Sequence, residues 1–113
     1  ELIDAAGLER VVQRSDRNSV YAQYTVLVHD RAGVQAKLSS DGVPTAVHYP
    51  VPLNKQPAYA HLCCAECTPL SSVAAERVMS LPMSADLSED QQDRIVTSLV
   101  QHLSAPARRL ANG

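Results

Sequence analysis

Phenylalanine and tryptophan are absent from the sequence, and four tyrosines are its only aromatic residues. Tyr21, Tyr24, Tyr49 and Tyr59 fall in one stretch, and nothing aromatic follows Tyr59. The core must therefore be packed from Val, Leu, Ile and Ala, and each tyrosine hydroxyl wants a partner where it is buried. An excess of positive charge is also missing: 10 Lys and Arg stand against 12 Asp and Glu, a net charge of −2. That leaves no basic surface to neutralise phosphates, so no nucleic-acid partner is expected. No apolar run approaches the ~20 residues of a membrane helix, which excludes a helical span and makes a membrane partner unexpected. No charged, apolar and small-residue leader opens the chain. A cytoplasmic location is the expectation.

Cysteine is scarce and local. Cys63, Cys64 and Cys67 lie within five residues, shortly after His61. An odd, clustered set is not a disulfide framework. One reading is a zinc site built from His61, Cys64 and Cys67, with Cys63 as a fourth candidate; the other is free thiols in a loop. Structural zinc normally takes two ligand pairs across a longer spacer, and the second pair is missing here. No metal site is therefore expected. A redox Cys-x-x-Cys at a helix start needs its first Cys near an N-cap, and Pro69 follows too soon for that.

What is present describes one small folded unit. The 113 residues suit a single domain, and 45% hydrophobic against 19% charged residues excludes disorder. Residues 1–7 read as the tail of a helix ending at Gly7, with no N-cap before it, which suggests a piece of something longer. Residues 8–19 read as a connector. Val20 to Val28 alternates apolar and polar, the period-2 signal of a half-buried strand. Its even positions would face helices, with Gln23 and Thr25 turned away. Asp30 caps a helix running to about Asp41, with Val34 and Leu38 as its stripe; Gly33 weakens it and Gly42 ends it.

Val43 to Tyr49 reads as a second strand, with Val43 and Val47 on one side and Ala46 and His48 on the other. Pro44 marks it as an edge. Pro50, Pro52 and Pro57 forbid regular structure, giving a long loop to about Pro69 with room for a helical turn at 58–62. Ser71 to Met79 reads as a short helix with Ala74 and Val78 inward, and Ser80 to Met83 as a short third strand. Ser88 and Gln91 form a capping box for the strongest helix, whose stripe is Ile95, Val96, Leu99, Val100 and Leu103. Pro106 stops it, and residues 104–113 read as a frayed tail. The expected fold class is α+β: a small, mostly antiparallel sheet with helices on one face, occupying residues 20–103. The polar face of Gln23, Thr25 and His48 is a candidate interface for a missing domain.

Three segments carry a resemblance: S-V-Y-A-Q-Y-T-V at 19–26, G-V-P-T-A-V-H-Y-P-V-P-L followed by Q-P-A-Y within 42–59, and M-S-L-P-M at 79–83. Together they resemble the C-terminal small domain of DegT-type nucleotide-sugar aminotransferases, over about residues 1–103. The nearest subgroup aminates a UDP-linked 3-keto-N-acetylhexosaminuronic acid for lipopolysaccharide. These are pyridoxal-phosphate enzymes of the aspartate-aminotransferase fold, known as fold type I. The resemblance implies an amino-acid donor, a homodimer, and a large N-terminal domain holding the Schiff-base lysine and the phosphate site. Neither Lys37 nor Lys55 matches that lysine, so the chain looks like a fragment that does not transaminate alone, with no catalytic residue and no cofactor of its own. His48 and Tyr49 match the family's His-Tyr pair near the sugar-nucleotide pocket, and Tyr59 matches the Tyr of Q-P-A-Y. Asn54 departs from the pattern, where His is common. A histidine on a strand is also commonly a hydrogen-bonded structural residue, and Tyr24 suits packing. A stand-alone α+β binding or regulatory module, holding zinc at His61 to Cys67, is the alternative.

Overall fold

The computed structural model describes residues 2–103. In chain order the elements are helix α1 (Leu2–Ala5), strand β1 (Tyr24–Leu27), helix α2 (Arg31–Ser40), a 3-10 turn (Leu53–Lys55), helix α3 (Pro69–Arg77), strand β2 (Val78–Leu81) and helix α4 (Glu89–His102). β1 and β2 pair antiparallel, with Tyr24 opposite Leu81, Thr25 opposite Ser80 and Val26 opposite Met79. Single antiparallel bridges extend this ribbon on both sides: Arg10 pairs with Val26, and Ala46 pairs with Ser80. The chain is thus the expected α+β unit with an antiparallel sheet.

Side-chain alternation decides what the sheet buries. Residues opposite one another share a face, so Val26 and Met79 project together. Both are fully buried, as are Leu38 of α2 and Leu99 of α4. Ile3, Val28, Val34, Val43 and Leu81 complete the cluster, with Leu8, Tyr24, Ile95, Val96 and Leu103 packed around it. Aliphatic side chains build the core as expected, but Met79, outside that expectation, sits among them fully buried, and Tyr24 only borders the cluster.

Capping explains the helix limits. Asp30 is the N-cap of α2, in a left-handed conformation, and accepts from Gly33 N at 3.3 Å. A Cβ at Gly33 would collide with the Asp30 carboxylate where it now lies, so this glycine, a weak helix former, lets the cap close in this geometry. Gly42, with φ +76°, reverses the chain after α2. At α4 the capping box is complete: Ser88 Oγ accepts from Gln91 N, and Gln91 Oε1 accepts from Ser88 N. Its buried stripe is Leu99 and Ser98, flanked by Ile95, Val96 and Leu103; Val100 is half-buried outside the cluster.

Several expected limits are corrected. The strand expected from Val20 to Val28 is only four residues long. Tyr21 takes φ +48°, its amide donates to Ser19 Oγ, and residues 20–23 are exposed. The strand expected from Val43 to Tyr49 shrinks to one bridge at Ala46, because Pro44 has no amide to donate. α3 begins at Pro69, which suits a first helical position, and therefore ends at Arg77. β2 starts immediately at Val78, two residues before the expected strand. It is Ala75, not Ala74 or Val78, that α3 buries. The proline-rich loop holds a 3-10 helix at Leu53–Lys55 that lies outside the expectation, and the turn expected around 58–62 is present, with Ala60 N donating to Gln56 O and Leu62 N to Tyr59 O. Part of the expected connector, around Arg10, edges the sheet: Val11 N donates to Thr25 O and Leu27 N to Glu9 O. The expected tail, 104–113, and its stop at Pro106 lie outside the described residues.

α2 and α4 are clasped at one end by Asp41. Its Oδ2 accepts from Ser98 Oγ at 2.6 Å and lies 2.6 Å from His102 Nε2, while Arg94 donates to its carbonyl. The Ser98 hydroxyl first, and then His102, hold the Asp41 carboxyl below the usual carboxylate range.

Two tests follow from this packing. Leu99→Ala is expected to cost ~2–5 kcal/mol in a urea melt, as for a fully buried leucine, while Thr97→Ala on the exposed face stays within about 0.5 kcal/mol. Asp41 has a folded pKa below its unfolded value, so its contribution is present above about pH 4 and is lost as pH falls through the folded value. The difference in urea midpoint between the wild type and Asp41→Asn should therefore shrink as pH falls from 6 to 3. A constant difference would remove the titrating clasp.

Candidate functional site

The face of the sheet opposite the core carries Thr25, Ser80 and Ala46, since these three lie opposite one another across the ladder. Ala46 and Ser80 exchange both backbone hydrogen bonds, at 3.1 and 2.8 Å. Continuing the alternation, Thr45 turns to the helices, where its Oγ1 accepts from Gln35 Nε2 of α2, and Val43 is buried. His48 returns to the Ser80 side. Its Nδ1 lies 3.0 Å from the Ser80 hydroxyl, and Ser80 is itself buried. The register expected from sequence, with His48 on the side of Thr25, is the register found. Gln23 is different: it precedes the strand and is exposed.

The bond to Ser80 fixes what His48 can offer. One ring nitrogen is engaged, and Nε2 is left without a protein partner among the described residues. Tyr49 follows directly, with its ring 5.6 Å from the imidazole and nearly perpendicular to it, and is 69% exposed. A half-buried imidazole beside an exposed phenol offers two hydrogen-bonding groups and an aromatic surface. Such a pair can bind and orient a polar ligand.

Tyr59 is held elsewhere. It sits in the turns after the 3-10 helix, where its amide donates to Gln56 O, and it is 46% exposed. No hydrogen bond or ring contact joins it to His48 or Tyr49 among the described residues. With Leu53, Asn54, Leu62 and Cys63 it lines a hollow of about 330 Å³ under the loop. The organiser of that loop is Asn54, a position whose role could not be carried over from sequence. Asn54 Nδ2 donates to the carbonyls of Cys64 and Ala65, and Thr68 Oγ1 donates to Asn54 Oδ1 at 2.8 Å. Thr68 stands at the N-cap of α3 but makes no side-chain cap bond, because its hydroxyl is turned to Asn54. Asn and Thr at ends of a proline-rich loop were the signal, and only the fold reveals that they meet.

Cys63 and Cys67 lie side by side, with sulfurs 2.7 Å apart, and Cys67 donates to Cys64 O. His61 does not join them: among the described residues no three His, Cys, Asp or Glu side chains converge as a metal site. Lys37 is exposed on α2 and Lys55 exposed at the end of the 3-10 helix, and neither lines a described cavity. These residues do not fit the lysine of a pyridoxal-phosphate site.

Comparison with known proteins places this architecture. A family model for the DegT/DnrJ/EryC1/StrS aminotransferases matches residues 1–100. The chain belongs to that family. It is 60% identical over 65 residues to a Pseudomonas aeruginosa protein named UDP-2-acetamido-2-deoxy-3-oxo-D-glucuronate aminotransferase, covering 58% of this chain and 18% of that one. It is 38% identical over 78 residues to UDP-N-acetyl-3-dehydro-alpha-D-glucosamine 3-aminotransferase of Acidithiobacillus ferrooxidans, covering 69% of this chain and 21% of the relative. Among solved structures, a DegT DnrJ EryC1 StrS aminotransferase from Brucella abortus superposes with TM-score 0.80 at 30% identity, over 89% of this chain and 27% of that one. The chain thus spans about a fifth of the length of these curated relatives.

The loop organiser gives a test. Asn54→Ala leaves the Ala65 carbonyl and the Thr68 hydroxyl without their partner and the Cys64 carbonyl with Cys67 Sγ alone, and is expected to cost about 0.5–1.5 kcal/mol. Limited proteolysis after Glu66 should accelerate in this variant while cleavage elsewhere does not. Equal cleavage in both proteins would remove Asn54 from that role.

Proposed function

We propose that this chain is the small domain of a pyridoxal-phosphate-dependent aminotransferase that passes an amino group from an amino acid, glutamate, to a UDP-linked keto sugar. The single observation that carries the reading is the His48–Tyr49 pair, presented on the face of the sheet away from the core and anchored by Ser80, in a chain of this family. The names of the relatives support the substrate class, and the fraction of their length matched supports a large domain outside residues 1–113. In this reading residues 20–103 form the small domain and residues 1–19 its connection. Family members use pyridoxal phosphate, which supplies the electron sink for amino transfer. The lysine and phosphate groups that hold it belong to the large domain.

This chain's part is to bind and orient. His48 Nε2 donates to or accepts from the sugar nucleotide, Tyr49 supplies a phenol and a ring face, and Tyr59 closes the pocket from the loop. The enzyme acts in the cytoplasm as a homodimer and serves surface-polysaccharide or lipopolysaccharide synthesis.

The test uses the full-length protein. His48→Ala should lower kcat/KM for the sugar nucleotide by about 10- to 100-fold, the scale of lost positioning. Its stability should fall by only ~1 kcal/mol, for one hydrogen bond. Lys37→Ala and Lys55→Ala should retain the visible absorbance of the bound cofactor. Loss of that absorbance in either variant would place the cofactor lysine in this chain and overturn the division of labour.

A further inference from the structure

The cysteine cluster takes no part in the reading above, yet its geometry is specific. Of three neighbouring thiols the fold selects two. Cys63 and Cys67 are four residues apart with sulfurs at 2.7 Å, whereas the Cys64 sulfur has no partner among the described residues. Closing a disulfide needs an S–S distance of about 2.05 Å, so the two sulfurs have roughly 0.7 Å to travel. All three cysteines are exposed, so an oxidant in solution reaches them. The turn is already folded for closure. Cys67 Sγ donates to Cys64 O at 2.9 Å across the reversal, and the same carbonyl accepts from Asn54. The spacing that sequence singles out as redox-like, Cys64 with Cys67, is not the pair the fold brings together.

We propose that Cys63 and Cys67 form a reversible oxidation site, closing to an intrachain disulfide that leaves Cys64 as a free thiol. The oxidant is a peroxide or a low-molecular-weight disulfide. With hydrogen peroxide, one thiolate attacks an oxygen; the O–O bond breaks, an S–OH group forms and water leaves once protonated. The second thiol then attacks that sulfur. The S–S bond forms, the S–O bond breaks, and the oxygen leaves as a second water carrying the thiol proton. The two sulfurs lose two electrons and the peroxide gains them. With oxidised glutathione, the same two electrons release two molecules of reduced glutathione. The bridge would add a covalent link to the turn that Asn54 also holds, beside the hollow that Tyr59 lines.

The test treats the reduced full-length protein with one equivalent of hydrogen peroxide, or with a glutathione redox buffer. Free thiols are then alkylated and the protein is cleaved after Glu66, which separates Cys67 from Cys63 and Cys64. The expected product is a linked peptide pair, lighter by two hydrogens, with Cys63 joined to Cys67, Cys64 alkylated, and full reversal by dithiothreitol. Cys64→Ser should oxidise at the wild-type rate. Cys63→Ser and Cys67→Ser should lose intrachain closure and collect glutathione adducts instead, with bridge formation slowed about tenfold or more. Far-UV circular dichroism of each variant checks that it is folded. A bridge that includes Cys64, equal alkylation of all three cysteines after oxidation, or unchanged closure in Cys63→Ser would overturn the proposal.

Discussion

The structure depends on one cross-strand pair. Val26 and Met79 lie opposite each other, both without solvent exposure, and Leu38 and Leu99 are buried with them from two helices. A two-stranded ribbon is marginal in water by itself. Here it is stabilised because one of its faces is sealed by aliphatic side chains from α2 and α4. A slip of one residue in the β1–β2 register would exchange Met79 for Ser80 at the centre of the core and leave a buried hydroxyl without its partner. The same register sets the other face, where Ser80 receives His48. The core and the candidate site are therefore two sides of a single alignment.

What the sequence revealed follows from the range of each signal. α4 was legible nearly to the residue, because its capping box and its stripe are both local. The even-numbered face of β1 and the side of His48 were also legible, since alternation along a strand needs no knowledge of neighbours. What remained hidden depends on distant partners. Nothing near Val20 shows that Tyr21 leaves the extended region, and nothing near Arg10 shows that it edges β1. Gly33 read as a defect because the collision it avoids, with the Asp30 carboxylate, exists only once the cap has formed. Asn54 was missed for a similar reason: its partners lie 10 to 14 residues along the chain.

The candidate residues differ in kind. His48 is fixed by a bond to a buried hydroxyl and so is aimed by the sheet. Tyr49 is next to it but mostly in solvent. Tyr59 hangs on a loop held by side-chain amide bonds, with no hydrogen bond or ring contact to the other two among the described residues. The three residues therefore differ in how firmly the described contacts hold them: one by the sheet, one by its neighbour alone and one by the loop.

The junction at Arg77 and Val78 joins a helix to a strand with no intervening residue. Arg31, at the first position of α2, reaches over it, donating to the carbonyls of Ala75 and Val78. A cation there also suits the negative end of α3. With no residue between them and a guanidinium donating across the seam, α3, about nine residues and roughly 13 Å long, runs directly into β2 as one segment. At one end of that segment Thr68 is tied to Asn54 in the loop; near the other, Ser80 bonds the imidazole. The loop and the imidazole are thereby joined through one unbroken helix–strand segment.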